Sequence, residues 1–171
     1  MLRNGRRQIL SFLLPGDTIG LEFLTTSTAS ASVRALTDMS LCEFEPQSLM
    51  ATAMTTRTSS IELITSWARQ NATSETVIIS LGRLSAIERM AQLIYRFQSN
   101  LAGNTRAGPE SFSVPLRRDD FADALGLTPV HVSRTFATLK TQGILGFKSG
   151  IATILDQTRL RELAERGAGS I

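Results

Sequence analysis

The chain has 171 residues, 42% of them hydrophobic and 19% charged, with a net charge of +3. These proportions describe a globular chain of one domain or two small ones and exclude an intrinsically disordered one. A single cysteine, Cys42, excludes internal disulfides and any multi-cysteine zinc or iron–sulfur site within the chain, and no apolar run approaches the roughly 18 residues that cross a bilayer.

The first residues are basic and then briefly apolar. Pro15-Gly16-Asp17 interrupts that run and no small-residue cleavage site follows, so no secretory signal is expected. A cytoplasmic, membrane-free protein is expected. Charge is uneven along the chain. Residues 1–80 carry 6 Lys and Arg against 7 Asp and Glu, whereas residues 81–171 carry 12 against 8. A basic C-terminal half suits a polyanionic partner.

Residues 7–44 alternate short apolar runs with turn signals: "QILSFLL", Pro15-Gly16-Asp17, "TIGLEFL", a Thr/Ser/Ala stretch, "SVRALT" and "MSLCEFE". Short apolar runs so punctuated predict strands of a small β-structure. In "SVRALT", alternation puts Val33 and Ala35 on one face, toward the core, and Arg34 on the solvent side. Cys42 falls in a predicted strand with no histidine nearby in sequence, which predicts a buried structural thiol rather than a nucleophile.

From about Pro46 to Gly82 the chain lacks Pro and Gly after the first residue, and its character is helical throughout. Ile61, Ile64, Ala68, Ala72 and Glu75 recur at helical spacing, a seam that is apolar early and polar later. A helix of that length is expected to pack against a partner, with Ile61, Ile64 and Ala68 at the interface. A joint at Leu81–Arg83 precedes a second helix. Ser85 is its N-cap, Glu88 closes a capping box, and Ile87, Met90, Ala91, Ile94 and Phe97 form its apolar stripe. Gly103 to Pro109 reads as a loop and "SFSV" as a short strand.

The segment "RDDFADALGLTPVHVSRTFATLKTQG" carries the sharpest signal. A first short helix puts Phe121, Ala122 and Leu125 on one face, with Asp119 and Asp120 in its first turn, where negative charge suits the helix dipole. Gly126 ends it. Thr128 caps a second helix whose first residue is Pro129 and whose Val132, Phe136 and Leu139 face inward. Small Ala122 permits close approach, Gly126 makes the bend and Val132 fills the crossing. That is a helix-turn-helix, with a recognition helix over about 129–142.

Val130, His131, Ser133 and Arg134 then point outward near the start of the recognition helix, where side chains meet base edges. "ILGFKSGIATILD" reads as a hairpin turning at Ser149-Gly150, a wing that carries Lys148, and "LDQTRLRELAER" as a closing amphipathic helix. Thr128, Arg117, Arg118, Lys140 and Lys148 complete the expected DNA-binding set. His131 is the only histidine, so no histidine pair or metal cluster can form around it.

With these pieces assigned, the chain resembles the Crp/Fnr family of bacterial transcription regulators. "FLLPGDTIGL" and "SVRALTDMSLCEFE" resemble the later strands of that family's sensory β-roll. "LSAIERMAQLIYRF" resembles the entry to its DNA-binding domain, and "LGLTPVHVSRTFATLKTQGIL" its recognition region. The resemblance implies an α+β fold. Its parts are a partial, cyclic-nucleotide-binding-like β-roll over 1–45, a helical dimerisation segment over 46–82 and a winged helix-turn-helix over 83–171. It implies a homodimer on a two-fold symmetric promoter site, with RNA polymerase as a further partner and no enzymatic activity.

The N-terminal part is expected to be short relative to the family. Cyclic-AMP-binding members carry a Glu after the "PGD" turn and an Arg-Ser pair before "VRA". Here Leu21 and Ala29-Ser30 stand there, so no cyclic-nucleotide binding is expected and no other cofactor is assigned. Arg117 stands where the family has a Ser or Thr helix cap, a stability loss of about 1 kcal/mol at most. The alternative function is a winged-helix protein-interaction module, which would not need a basic recognition face.

Overall fold

The computed structural model describes residues 7–102 and 108–166. Most of the loop expected at 103–109, and the approach to the first predicted strand, lie outside the described residues. The chain divides into two compact units, residues 13–74 and the remainder, with the boundary inside a long helix.

The larger unit is built on five helices and a three-stranded sheet. Its first helix in the C-terminal half, α3 (Ala86–Ala102), begins as the capping-box spacing predicts. The Ser85 N–H donates to Glu88 Oε2 at 2.9 Å and the Ser85 hydroxyl donates to the same oxygen at 2.8 Å. These bonds and the resulting charge stabilisation hold the Glu88 carboxyl below its ordinary pKa. Met90, Ala91 and Ile94 are fully buried and Phe97 nearly so, because the stripe recurs at the helical period.

Strand β1 (Ser111–Ser113) leads to α4 (Arg118–Leu125) and α5 (Pro129–Thr141), then β2 (Leu145–Lys148), β3 (Ile151–Ile154) and α6 (Gln157–Glu165). The sheet is antiparallel in the order β1-β3-β2. Ala152 lies opposite both Phe112 and Phe147, so a small residue separates two large ones across the ladder. Helix α3 packs on α5 and α6, and α4 on α5. Gln98, buried on α3, exchanges hydrogen bonds with Gln157 of α6 at 2.7 and 3.0 Å and donates to the Pro109 carbonyl. A buried amide so satisfied ties the first helix to the last at little desolvation cost.

Residues 7–12 belong to this unit rather than to a sheet. The Arg7 guanidinium bridges Asp123 at 2.6 Å and Asp120 at 2.8 Å, the Ile9 N–H donates to the Asp123 carbonyl, and Phe12 meets Phe97 edge-on at 5.4 Å. Hydrogen bonds donated to Asp123 and then to Asp120 raise the Arg7 pKa.

The smaller unit holds a 3-10 turn (Leu21–Leu24), helix α1 (Pro46–Thr55) and the first part of α2 (Arg57–Arg83). The strands expected over 7–44 do not form among the described residues. Val33 and Ala35 are exposed like Arg34, so the predicted inward face has nothing to face. Cys42 is likewise exposed rather than buried. The physical reason is common to all three: a strand is stabilised by partner strands, and this apolar alternation meets none here.

The helix expected to run unbroken from Pro46 is interrupted at Thr56, whose backbone is extended. Its Oγ1 accepts the Ser59 N–H at 3.1 Å and so caps α2. In "TTRTSS", hydroxyl side chains compete for backbone groups and make this the weakest point of the helical run. At the other end α2 continues through the expected joint to Arg83.

Candidate nucleic-acid interface

The two helices of the motif are locked by local chemistry before any partner is considered. Helix α4 starts at Arg117, which makes no side-chain cap, but the Asp120 carboxylate accepts the Arg117 N–H at 3.0 Å. Half of a capping box thus replaces the missing Ser or Thr. Gly126 ends α4 at φ 63, with Leu81 and Arg89 close to where a side chain would project. Both the conformation and the space favour glycine. Arg89 Nη1 donates to the Leu125 carbonyl at 2.8 Å and closes the C-terminal end of α4, while burial lowers the Arg89 pKa.

Thr128 Oγ1 accepts the His131 N–H at 3.2 Å and Pro129 follows as the first helical residue. Val132, Phe136 and Leu139 are buried on the inner face of α5. The outer face carries Val130, His131, Ser133 and Arg134 in the first turns, then Ala137 and Lys140, all exposed. Ala137 escaped the sequence reading, although it lies three residues beyond Arg134 on the same face. Its small side chain leaves the middle of the helix free to approach another surface closely.

The wing follows directly. Ser149 and Gly150 both have positive φ, 51 and 76, as a two-residue type I′ hairpin requires. Lys148 stands exposed beside that turn.

Phe121 of α4, Phe136 of α5 and Phe147 of β2 form an aromatic cluster. Phe121 is edge-on to the other two, at 5.2 and 5.4 Å, and Phe136 stacks on Phe147 at 4.5 Å. The Arg118 guanidinium lies over Phe136 at 4.6 Å and over Phe147 at 5.2 Å. It is half-buried, its Nη1 has no hydrogen-bond partner, and burial lowers its pKa. Cation–π contact therefore joins α4 to both the recognition helix and the wing. Among the expected DNA-binding residues, Arg118 is the one drawn inward. Thr128, Val130, His131, Ser133, Arg134, Arg117, Lys140 and Lys148 are all on the surface. The expected dimer residues Ile61, Ile64 and Ala68 are in the other unit and are exposed there, Ile61 at 52% and Ile64 at 63%.

Comparison with known proteins agrees with this geometry. The family described as Crp-like helix-turn-helix domain matches residues 88–163, and cyclic nucleotide-binding domain matches residues 1–56. The nitrogen fixation regulation protein FixK of Bradyrhizobium diazoefficiens is 31% identical over 96% of this chain and 68% of its own length. This chain belongs to the Crp/Fnr family of transcription regulators.

The transcriptional activator protein FnrL of Cereibacter sphaeroides is 31% identical over 95% of this chain and 66% of its own length. The Crp/Fnr chain described here thus spans about two thirds of the length of these curated relatives. Among solved structures, a CRP-family regulator of Thermus thermophilus is 25% identical, with a TM-score of 0.73 over 99% of this chain and 80% of that one. FixK2 of Bradyrhizobium japonicum is 31% identical, with a TM-score of 0.61 over 69% and 58%. The family is one of DNA-binding regulators, and the α+β architecture with a winged helix-turn-helix is its fold. Among the described residues no helix is long and apolar enough to cross a membrane.

Proposed function

We propose that this Crp/Fnr chain binds a two-fold symmetric promoter site as a homodimer in the cytoplasm, and that it regulates transcription without catalysing a reaction. The observation that carries the reading is the outer face of α5. It is exposed, uncrowded and free of acidic side chains, and its first turns present Val130, His131, Ser133 and Arg134. Arg134 suits the O6 and N7 acceptors of guanine. Arg117, Lys140 and Lys148 supply charge for phosphate, and Arg118 holds the wing against the helices.

In this reading residues 1–45 are the sensory part, 46–82 the dimerising part and 83–171 the DNA-binding part. The apolar seam of Ile61, Ile64 and Ala68 joins two copies. The activator names of the relatives make RNA polymerase a reasonable further partner. The signal is not a cyclic nucleotide. An open cavity of about 620 Å³ between the 3-10 turn and α1 is lined by Phe23, Leu24, Pro46 and Met50, with Glu45 as its charged group. Arg34 is the only basic residue between Arg7 and Arg57. A phosphate buried without a cationic partner costs several kcal/mol.

Binding measurements on a site selected from random duplexes test the reading. Arg134→Ala should weaken the selected site by about 1–3 kcal/mol and leave non-specific binding nearly unchanged. Lys148→Ala should weaken all duplexes alike and lower the salt slope by about one. Equal loss on specific and non-specific DNA for Arg134→Ala would make it a phosphate contact. Titration calorimetry with cyclic AMP and cyclic GMP should show no binding, and low-micromolar binding of either would refute that part.

A further inference from the structure

The recognition helix presents an apolar side chain where polar ones are expected. Val130 is the second residue of α5 and is 61% exposed, although the helix has a well-filled inner face in Val132, Phe136 and Leu139. Two neighbouring hydroxyls are already engaged by backbone. Thr128 Oγ1 accepts the His131 N–H, and the Ser133 hydroxyl donates to the Pro129 carbonyl at 3.0 Å. The outward groups of the first two turns are then Val130, His131 and Arg134.

Val130 and Arg134 are four residues apart, which places them about 40° apart around the helix and about 6 Å apart along it. They share one face, at a separation of about two base-pair steps, since each strand of B-DNA rises about 3.4 Å per base. In the major groove the one apolar feature of a base edge is the C5-methyl group of thymine, which an aliphatic side chain can cover.

We propose that Val130 is a specificity-determining residue that packs against the 5-methyl group of a thymine, within about two base pairs of the guanine read by Arg134. This rests on the DNA-binding reading above and deepens it. The two residues discriminate by different physics. Arg134 acts through directed hydrogen bonds, whereas Val130 removes apolar area from water and rejects bases that lack the methyl group.

The test uses the full chain and a half-site selected from random duplexes. Each thymine of the selected site is replaced in turn by deoxyuridine, which deletes only the methyl group. One position should weaken wild-type binding about fourfold, the change expected for one buried methyl group. Val130→Ala should bind the thymine duplex more weakly by a similar factor and become indifferent to deoxyuridine at that position alone. Val130→Ile, which keeps the aliphatic branch, should retain the sensitivity. Because Val130 covers none of the core, these variants should melt like wild type.

If no thymine responds to deoxyuridine, or if the response persists in Val130→Ala, the proposal is overturned while DNA binding through α5 stands. A selection that enriches no duplex would overturn both. A sensitive thymine more than three base pairs from the position lost in Arg134→Ala would also overturn the assignment.

Discussion

Residues 84–166 and residues 13–74 both carry apolar residues at regular spacing, yet they use them differently. In the first, Met90, Ile94, Phe121, Leu139, Ile144, Leu145 and Leu160 are buried to 1% exposure or less. In the second, Leu21 and Ala53 are the buried hydrophobic residues, while Phe23, Val33, Met39, Leu41, Phe44, Ile61, Ile64 and Trp67 remain 41% to 69% exposed. The winged helix meets its apolar demand from within, because four helices and a sheet cover one another's apolar faces. The smaller unit consists of a 3-10 turn and helices with extended chain between them, and its apolar surface asks for something else. A pattern that is complete within one chain specifies a core, and a pattern that is not leaves its apolar side chains exposed.

The widest contrast should come from truncating one aromatic in each unit. Phe121→Ala empties a fully buried site at the centre of the aromatic cluster and should cost about 3–5 kcal/mol. Phe23→Ala, at a residue 41% exposed, should cost less than about 1 kcal/mol. Urea unfolding followed by circular dichroism reads the first. Fluorescence of Trp67, the only tryptophan, reads the unit that holds Phe23. Comparable losses in the two units would break the distinction.

Charge in the α2 seam should separate interface from core. Ile64→Asp is expected to convert dimers to monomers and to weaken binding to a palindromic site more than about tenfold, since each half-site supplies only part of the affinity. The unfolding midpoint of the winged helix, measured at the same concentration, should stay within about 0.5 kcal/mol of wild type. Sedimentation of the wild type as a monomer at micromolar concentration would refute the interface.

Arg7→Ala should reveal how firmly residues 7–12 belong to the winged helix. Asp120, 6% exposed at its side chain, would lose one charged partner and keep the Arg117 N–H. The expected loss is about 1–2 kcal/mol in unfolding free energy, moderated by the partial exposure of Arg7. An unchanged midpoint would mean that the two ion pairs contribute nothing net.

The smallest effect concerns pH. The folded-state pKa of Glu88 lies below its ordinary value of 4.5, chiefly because it accepts the Ser85 N–H. Its contribution is therefore full above that value and is lost as pH falls through the folded-state pKa. Glu88→Gln keeps an oxygen for the capping box but removes the titration. Stability of the variant should decline less steeply than wild type below about pH 4.5. Parallel acid limbs would exclude Glu88 as a contributor.

Much of the winged helix was legible because its signals are local. The Ser85–Glu88 box, the Gly126 break, the Thr128 cap and the Ser149-Gly150 turn each need only a few adjacent residues, and each forms as expected. The outer face of α5 followed from helical period alone. Thr56 breaks the helical run although no Pro or Gly lies near it.

What sequence could not deliver was pairing between distant segments. Arg118 looks like a surface cation until Phe136 and Phe147 are seen beneath it. Arg7 sits 113 residues from Asp120, and nothing in either segment announces the bridge. The runs in 7–44 have the composition of strands, but strands exist only where partners come to meet them. Sequence by itself determined the elements whose hydrogen bonds and apolar faces close within a few turns of chain: the helix-turn-helix and the wing. Tertiary structure alone decided which side chains are drawn from the surface into the core and whether an apolar run becomes a strand. Those outcomes depend on groups far away along the chain, and contact between such groups follows from the packing of the whole unit.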